Sequence, residues 1–142
     1  MSHKLEVTRT VNAPIEKVFK AFIDPEEMKQ WYVHRGLTIP EAETEVKIGG
    51  KYTVTMVEPN NEVHTAIGKF KEIDEPHKLV YSWNWKEYKM DVDSEITVLF
   101  EKIEDSKTKI TLIHDFLPSE QSVKDHSEGW TMIMDHVVEY FN

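Results

Sequence analysis

Hydrophobic and polar positions along the chain follow two periods, and the changeovers between them outline the fold. Residues 5–11, LEVTRTV, alternate with period two, so they predict a strand with one imperfect face. Asn12, Ala13 and Pro14 end it, and Pro14 suits the first turn of a helix because its missing N–H would have had no partner there. Ile15, Val18, Phe19 and Phe22 follow at helical spacing. Asp24, Pro25 and Glu27 then form a second start, with a cap, a first-turn proline and a capping-box acid. It leads into a short helix that packs Met28, Trp31 and Tyr32 downward. Pro40 assigns residues 33–42 to a loop, and residues 43–48 read as a strand ending at Gly49-Gly50, a tight turn or sheet bend.

From there to residue 117 period two dominates. Tyr52, Val54 and Met56 alternate up to a turn at Pro59-Asn60-Asn61. A strand from Val63 to Ile73 carries Gly68, which marks a bulge or a closely approached position. After a turn at Asp74-Glu75-Pro76, Leu79, Tyr81, Trp83 and Trp85 share one face, as do Ile96, Val98 and Phe100. Past Glu104-Asp105-Ser106, Ile110, Leu112, His114 and Phe116 share one face of the last strand. The final 23 residues change period again: Val123, Trp130, Met134, Val137 and Phe141, with His126 on the same stripe, recur at three and four.

The predicted order is one strand, two short helices, six strands and one long helix. Sequential strands with short turns predict an antiparallel meander. A long closing helix buries its apolar stripe best inside a sheet curved around it, with bends at Gly49-Gly50 and Gly68. That arrangement leaves room for a cavity between helix and sheet. No repeat or interdomain linker interrupts the pattern, so residues 1–142 are expected to form a single domain.

Composition narrows the function. The 142 residues include no cysteine, which removes disulfides, thiol catalysis and cysteine-bound metal and fits a cytoplasmic protein. The N-terminal segment carries no hydrophobic signal, and no run of apolar residues is long enough to span a membrane. Lys and Arg number 17 against 26 Asp and Glu, a net charge of −9. With Arg9 and Arg35 as the only arginines, nucleic acid is not an expected partner. The chain is expected to be a monomer or a weak homodimer.

The segments TRTVNAPIEKVFKAFIDPEEMKQWY (8–32), VKIGGKYTVTM (46–56), GKFKEIDEPHKLVYSWNW (68–85), LIHDFLPSE (112–120) and HSEGWTMIMDHVVEYF (126–141) carry a resemblance. In this order they resemble the Hsp90-ATPase-activator-homologue (AHSA1-like) branch of the START/Bet v 1-like superfamily. The resemblance implies an α+β helix-grip fold, a curved antiparallel sheet wrapped around a long C-terminal helix, with two short helices after the first strand. It also implies a cavity between helix and sheet. The superfamily holds lipid and hormone carriers, aromatic-polyketide cyclases and oxygenase domains, so the resemblance leaves activity open. Co-chaperones of the branch carry a separate N-terminal domain, for which Met1–Lys4 leaves no room; direct activation of a chaperone ATPase is not expected.

Candidate chemistry gathers on the predicted inner face. Trp31, Trp83, Trp85 and Trp130 can serve as core or as a wall that stacks on a flat ligand. Tyr52 and Tyr81 add aromatic bodies with one hydrogen-bonding tip each, and Met134 adds a flexible apolar surface. His114, between Leu112 and Phe116, can hydrogen-bond within the core, contact a ligand or move a proton. His126 stands one turn before Trp130. Gly129, which costs a helix about 1 kcal/mol relative to alanine, needs compensation from close packing or from cavity space. The loop 86–92, with Tyr88 and Met90, is a candidate gate. His3, His34, His64, His77, His114, His126 and His136 are dispersed, so no metal or other cofactor is expected. Nucleophile elbows and phosphate loops are absent from the sequence. The leading expectation is binding of a small apolar or aromatic molecule at Trp31, Tyr52, Tyr81, Trp83, Trp85, His114, His126, Trp130 and Met134. The alternatives are a cyclase- or hydrolase-like enzyme using a cavity histidine or acid, and a protein-interaction or chaperone-associated stress-response module.

Overall fold

A computed structural model describes residues 3–32 and 36–142. Strand β1 (His3–Val11) leads into α1 (Ile15–Ala21) and α2 (Pro25–Trp31). Six strands follow: β2 (Thr38–Thr44), β3 (Lys51–Val57), β4 (Val63–Asp74), β5 (Lys78–Trp85), β6 (Ser94–Glu104) and β7 (Lys107–Leu117). Helix α3 (Glu120–Tyr140) closes the chain. The strands form one antiparallel sheet in the order β1-β7-β6-β5-β4-β3-β2. Apart from β1, which pairs with β7 from the other end of the chain, the sheet is a meander, and it curves around α3 as a helix-grip fold.

The helix starts form as their residues dictate. Asp24 accepts a hydrogen bond from the Glu26 N–H at 2.9 Å, with Pro25 in the first turn. Ser119 caps α3 by accepting from Ser122 N–H at 3.1 Å. Trp130, Ile133, Met134 and Val137 form the buried stripe of α3, facing the sheet. The two glycine bends are true close approaches. A Cβ on Gly50 would stand 2.0 Å from the Glu45 carbonyl oxygen, and one on Gly68 would stand 2.0 Å from that of Ser82.

Two expectations about strands need correction. Residues 38–44 form β2, whereas residues 45–50 turn; the expected strand at 43–48 therefore lies several residues earlier, and the expected loop is confined to fewer residues. Pro40 sits within β2 because β2 is the sheet edge, where a missing N–H costs no ladder bond, and the register slips between Thr38 and Glu41. The part of that expected loop at 33–35 lies outside the described residues.

Phe116 is the second correction. It is 54% exposed and does not share the face of Ile110, Leu112 and His114. Its φ of 61° and the slip between the Leu5–His114 and His3–Leu117 pairs define a bulge in β7. One extra residue turns Phe116 outward and brings Leu117 into the core.

A cavity walled by indoles

Between α3 and the β3–β5 half of the sheet lies a cavity of about 350 Å³, open at one side. Trp83 and Trp85 come from β5, and Met56 from β3. His126, Gly129, Trp130 and Ile133 come from α3, while Tyr32 and Leu37 close the end near α2. Glu58, His64, Tyr88 and Asp125 complete the lining. Alternation of side chains along β5 puts Trp83 and Trp85 on one face, and helical spacing puts His126, Gly129, Trp130 and Ile133 opposite them. The indoles do not lie parallel: Trp83 meets Trp85 at 5.2 Å and 85°, and Trp130 at 5.3 Å and 54°. They make a corner rather than a filled stack.

Two imidazoles hold this corner in shape. Trp130 Nε1–H donates to His114 Nδ1 at 3.0 Å, so the His114 proton resides on Nε2. Nε2–H then donates to Ser94 Oγ at 2.7 Å, and the Ser94 hydroxyl donates to the Trp83 carbonyl at 3.0 Å. Trp85 Nε1–H donates to His126 Nε2 at 3.3 Å, and His126 Nδ1–H donates to the Ser122 carbonyl at 2.8 Å. The rings carry opposite tautomers and lie 5.0 Å apart. Burial lowers the His114 pKa to about 2, and repulsion from a charged His126 adds to the effect. Burial also lowers His126, against the opposing pull of its Ser122 bond and of Asp125. Trp83 Nε1 stands apart: it is buried and has no hydrogen-bond partner.

The open side is bounded by the 86–93 segment. Tyr88 stacks on Trp85 at 5.5 Å and shares a 2.8 Å hydrogen bond with His64 Nδ1. His64 Nε2–H donates to Glu58 at 2.8 Å. Burial, with help from Glu87, Glu58 and Glu62, pushes the Tyr88 pKa up to about 12, so its hydroxyl keeps its proton. Asn84 ties the segment down, donating to the Met90 carbonyl at 3.1 Å and to Asp93 at 2.7 Å. Glu87 accepts from both the backbone and the hydroxyl of Thr65, at 2.7 and 2.6 Å.

Of the nine residues singled out from sequence, Trp83, Trp85, His126 and Trp130 line the cavity. His114 lies behind them, fully buried, and Met134 is fully buried in the helix stripe. Trp31, Tyr52 and Tyr81 surround a separate space of about 10 Å³ near α2. Trp31 Nε1–H donates to the Ala21 carbonyl at 2.9 Å, and the Tyr52 hydroxyl donates to that of Ser82 at 2.6 Å.

Sequence reasoning missed the polar edge of the cavity. Glu58 extends the alternation of Val54 and Met56, a signal present in the sequence, whereas His64 joins it only through its pairing with Met56 across β3 and β4. Glu58, Glu62 and His64 bring candidate donor atoms within 4.8 Å of one another and could hold a cation. The dispersal of histidines along the chain gave no hint of this grouping.

The family described as activator of Hsp90 ATPase homolog 1-like protein matches residues 12–142. No curated protein matches the sequence significantly. Solved structures with the same fold include protein CV1439 from Chromobacterium violaceum, 17% identical, covering 97% of this chain and 96% of that one with a TM-score of 0.88. The AHSA1 protein of Silicibacter pomeroyi is 19% identical, with 96% of each chain covered and a TM-score of 0.83. CalU16 from Micromonospora echinospora is 23% identical, covering 99% of this chain and 77% of that one with a TM-score of 0.74.

Proposed function

The chain belongs to the activator of Hsp90 ATPase homolog 1-like family, and from that premise we propose that it is a single-domain binding protein for a small apolar or aromatic molecule. The observation that carries this reading is the cavity of about 350 Å³ walled by Trp83, Trp85 and Trp130. It falls within the roughly 300–1,000 Å³ of small-molecule sites, and its lining is mainly apolar with a few polar groups, as in such sites. Packing density argues the same way. Interiors are normally filled, so an uncollapsed space among large rigid rings held by hydrogen bonds is a built space.

Binding is favoured over turnover. Both nitrogens of His114 and both of His126 already have partners. Burial also lowers the pKa of both rings, that of His114 to about 2. An indole-sized ligand burying about 200 Å² of apolar surface would gain about 5 kcal/mol, equivalent to a sub-millimolar dissociation constant. Tighter binding requires a polar anchor.

Among the described residues, no helix is long and apolar enough to cross a membrane.

Native mass spectrometry of freshly purified protein, followed by denaturing extraction, tests the proposal. A stoichiometric, reproducible small-molecule adduct, displaced by a competing aromatic probe, is the expected result. An apo mass that acquires no adduct from a panel of aromatic and aliphatic probes would overturn it.

A further inference from the structure

The cavity is chemically one-sided. Its lining includes the carboxylates of Glu58 and Asp125, and among the described lining residues there is no lysine or arginine. Glu62 stands close to Glu58 at the same edge, within the 4.8 Å grouping that includes His64. Asp125 accepts from the neutral Gln121 amide at 3.0 Å, which leaves its charge in place.

Hydrogen-bond accounting sharpens the sign. The indole N–H groups of Trp85 and Trp130 are directed to imidazole nitrogens, that of Trp83 is buried out of reach of the space, and the remaining N–H of His126 goes to a backbone carbonyl, while Glu58 accepts from His64 Nε2 at 2.8 Å. A molecule entering between Trp83, Trp85 and Trp130 therefore meets ring faces and carboxylate oxygens. Ring faces carry the negative lobe of the aromatic quadrupole, and ionised carboxylates accept hydrogen bonds without donating any. Both attract positive charge, and they do so more strongly where water is excluded. The non-parallel indoles offer faces in more than one direction, as a cation between rings requires.

Resting on the container reading above, we infer that the cavity selects an organic cation: a protonated aromatic or apolar amine, or a quaternary ammonium. Its apolar body packs on the indoles, and its charged nitrogen lies toward Glu58 and Asp125. These carboxylates supply the polar anchor that apolar burial alone lacks, and the net charge of −9 raises the local concentration of such ligands.

Three probes of matched size test this by protein-detected NMR titration at low ionic strength: benzyltrimethylammonium, its neutral isostere neopentylbenzene, and the anion phenylacetate. The cation is expected to bind about tenfold tighter than neopentylbenzene, with phenylacetate weakest. The double variant Glu58→Gln/Asp125→Asn is expected to cut that advantage to below about threefold, as is molar salt on the unmodified protein. The salt arm decides the matter if the variant does not fold. Neopentylbenzene binding as well as or better than the cation overturns the inference and leaves the container reading standing. An advantage insensitive to both salt and substitution overturns the role of the carboxylates. Failure of all three probes to bind overturns the container reading as well.

Discussion

Two aromatic clusters lie on the concave side of the same sheet and end differently. Near α1 and α2, Phe22 packs on Trp31 at 4.6 Å and on Phe100 at 5.3 Å, and Tyr52, Phe70 and Tyr81 leave only about 10 Å³ among them. Toward the start of α3, Trp83, Trp85 and Trp130 leave about 350 Å³. Tyr32 is the partition: it stacks on Trp31 at 5.0 Å, meets Trp130 edge-on at 5.7 Å and borders both spaces. Composition does not separate the clusters, since both are rich in Trp and Tyr. Coverage does. Two short helices cap the first cluster, and Trp31 is anchored to the α1 carbonyl of Ala21. The second is covered by one helix face that includes Gly129 and by a segment pinned through Asn84, and two of its three indoles, Trp85 and Trp130, are tied to imidazoles. Aromatic residues fill space where covering elements close on them and wall space where the cover leaves one side open.

Substitutions across the partition test that contrast most strongly. Trp31→Ala, at a residue 1% exposed, is expected to cost about 3–5 kcal/mol in denaturant unfolding, whereas Trp85→Ala, whose ring already borders open space, should cost under about 2 kcal/mol. Equal costs would erase the distinction between filled and walled clusters.

The walled cluster also carries a pH signature. His114 is held neutral in the native state with a pKa of about 2, while in the unfolded chain it titrates near 6.5. Its contribution is therefore complete above about pH 6.5 and is lost as pH falls, at up to about 1.4 kcal/mol per unit. Between pH 6.5 and 4.5 the loss should reach about 2–3 kcal/mol. Unfolding free energies at several pH values, compared with those of His114→Gln, should show a shallower acid limb in the variant.

Smaller effects sharpen the picture. Ser94→Ala removes the acceptor of His114 Nε2–H, leaving a buried donor unmet, and should cost about 1–3 kcal/mol by the same unfolding assay. Gly129→Leu should fill the cavity from α3. Probe affinity in the NMR titration is expected to fall at least about tenfold, or about 1.4 kcal/mol, while replacing a helical glycine offsets any strain by up to about 1 kcal/mol. Unchanged affinity would place the ligand elsewhere.

Much of the frame was legible because it depends on local period. Alternation at 96–100, the cap at Asp24 and the stripe on α3 are properties of short segments, and each appears in the structure, whereas β5 is buried on both faces despite its alternating sequence. Pro40 and Phe116 were misread for one shared reason. Whether a proline breaks a strand depends on whether that strand lies at an edge, and whether alternation continues depends on a bulge against β1. Both are properties of pairing between distant segments.

The candidate site divides along the same line. By itself the sequence determined that a long amphipathic helix must bury a Trp- and Met-bearing face against period-two strands, because amphipathic faces are set by spacing alone. Only the tertiary structure decided that Trp83, Trp85 and Trp130 wall a space while Trp31 fills one. It alone set which imidazole nitrogen Trp85 and Trp130 meet, and it brought Glu58, just past β3, His64 of β4 and Asp125 of α3 to the lining of one cavity. Volume, tautomer and charge at a site arise from side chains far apart in sequence, and chain periodicity holds no record of how closely they pack.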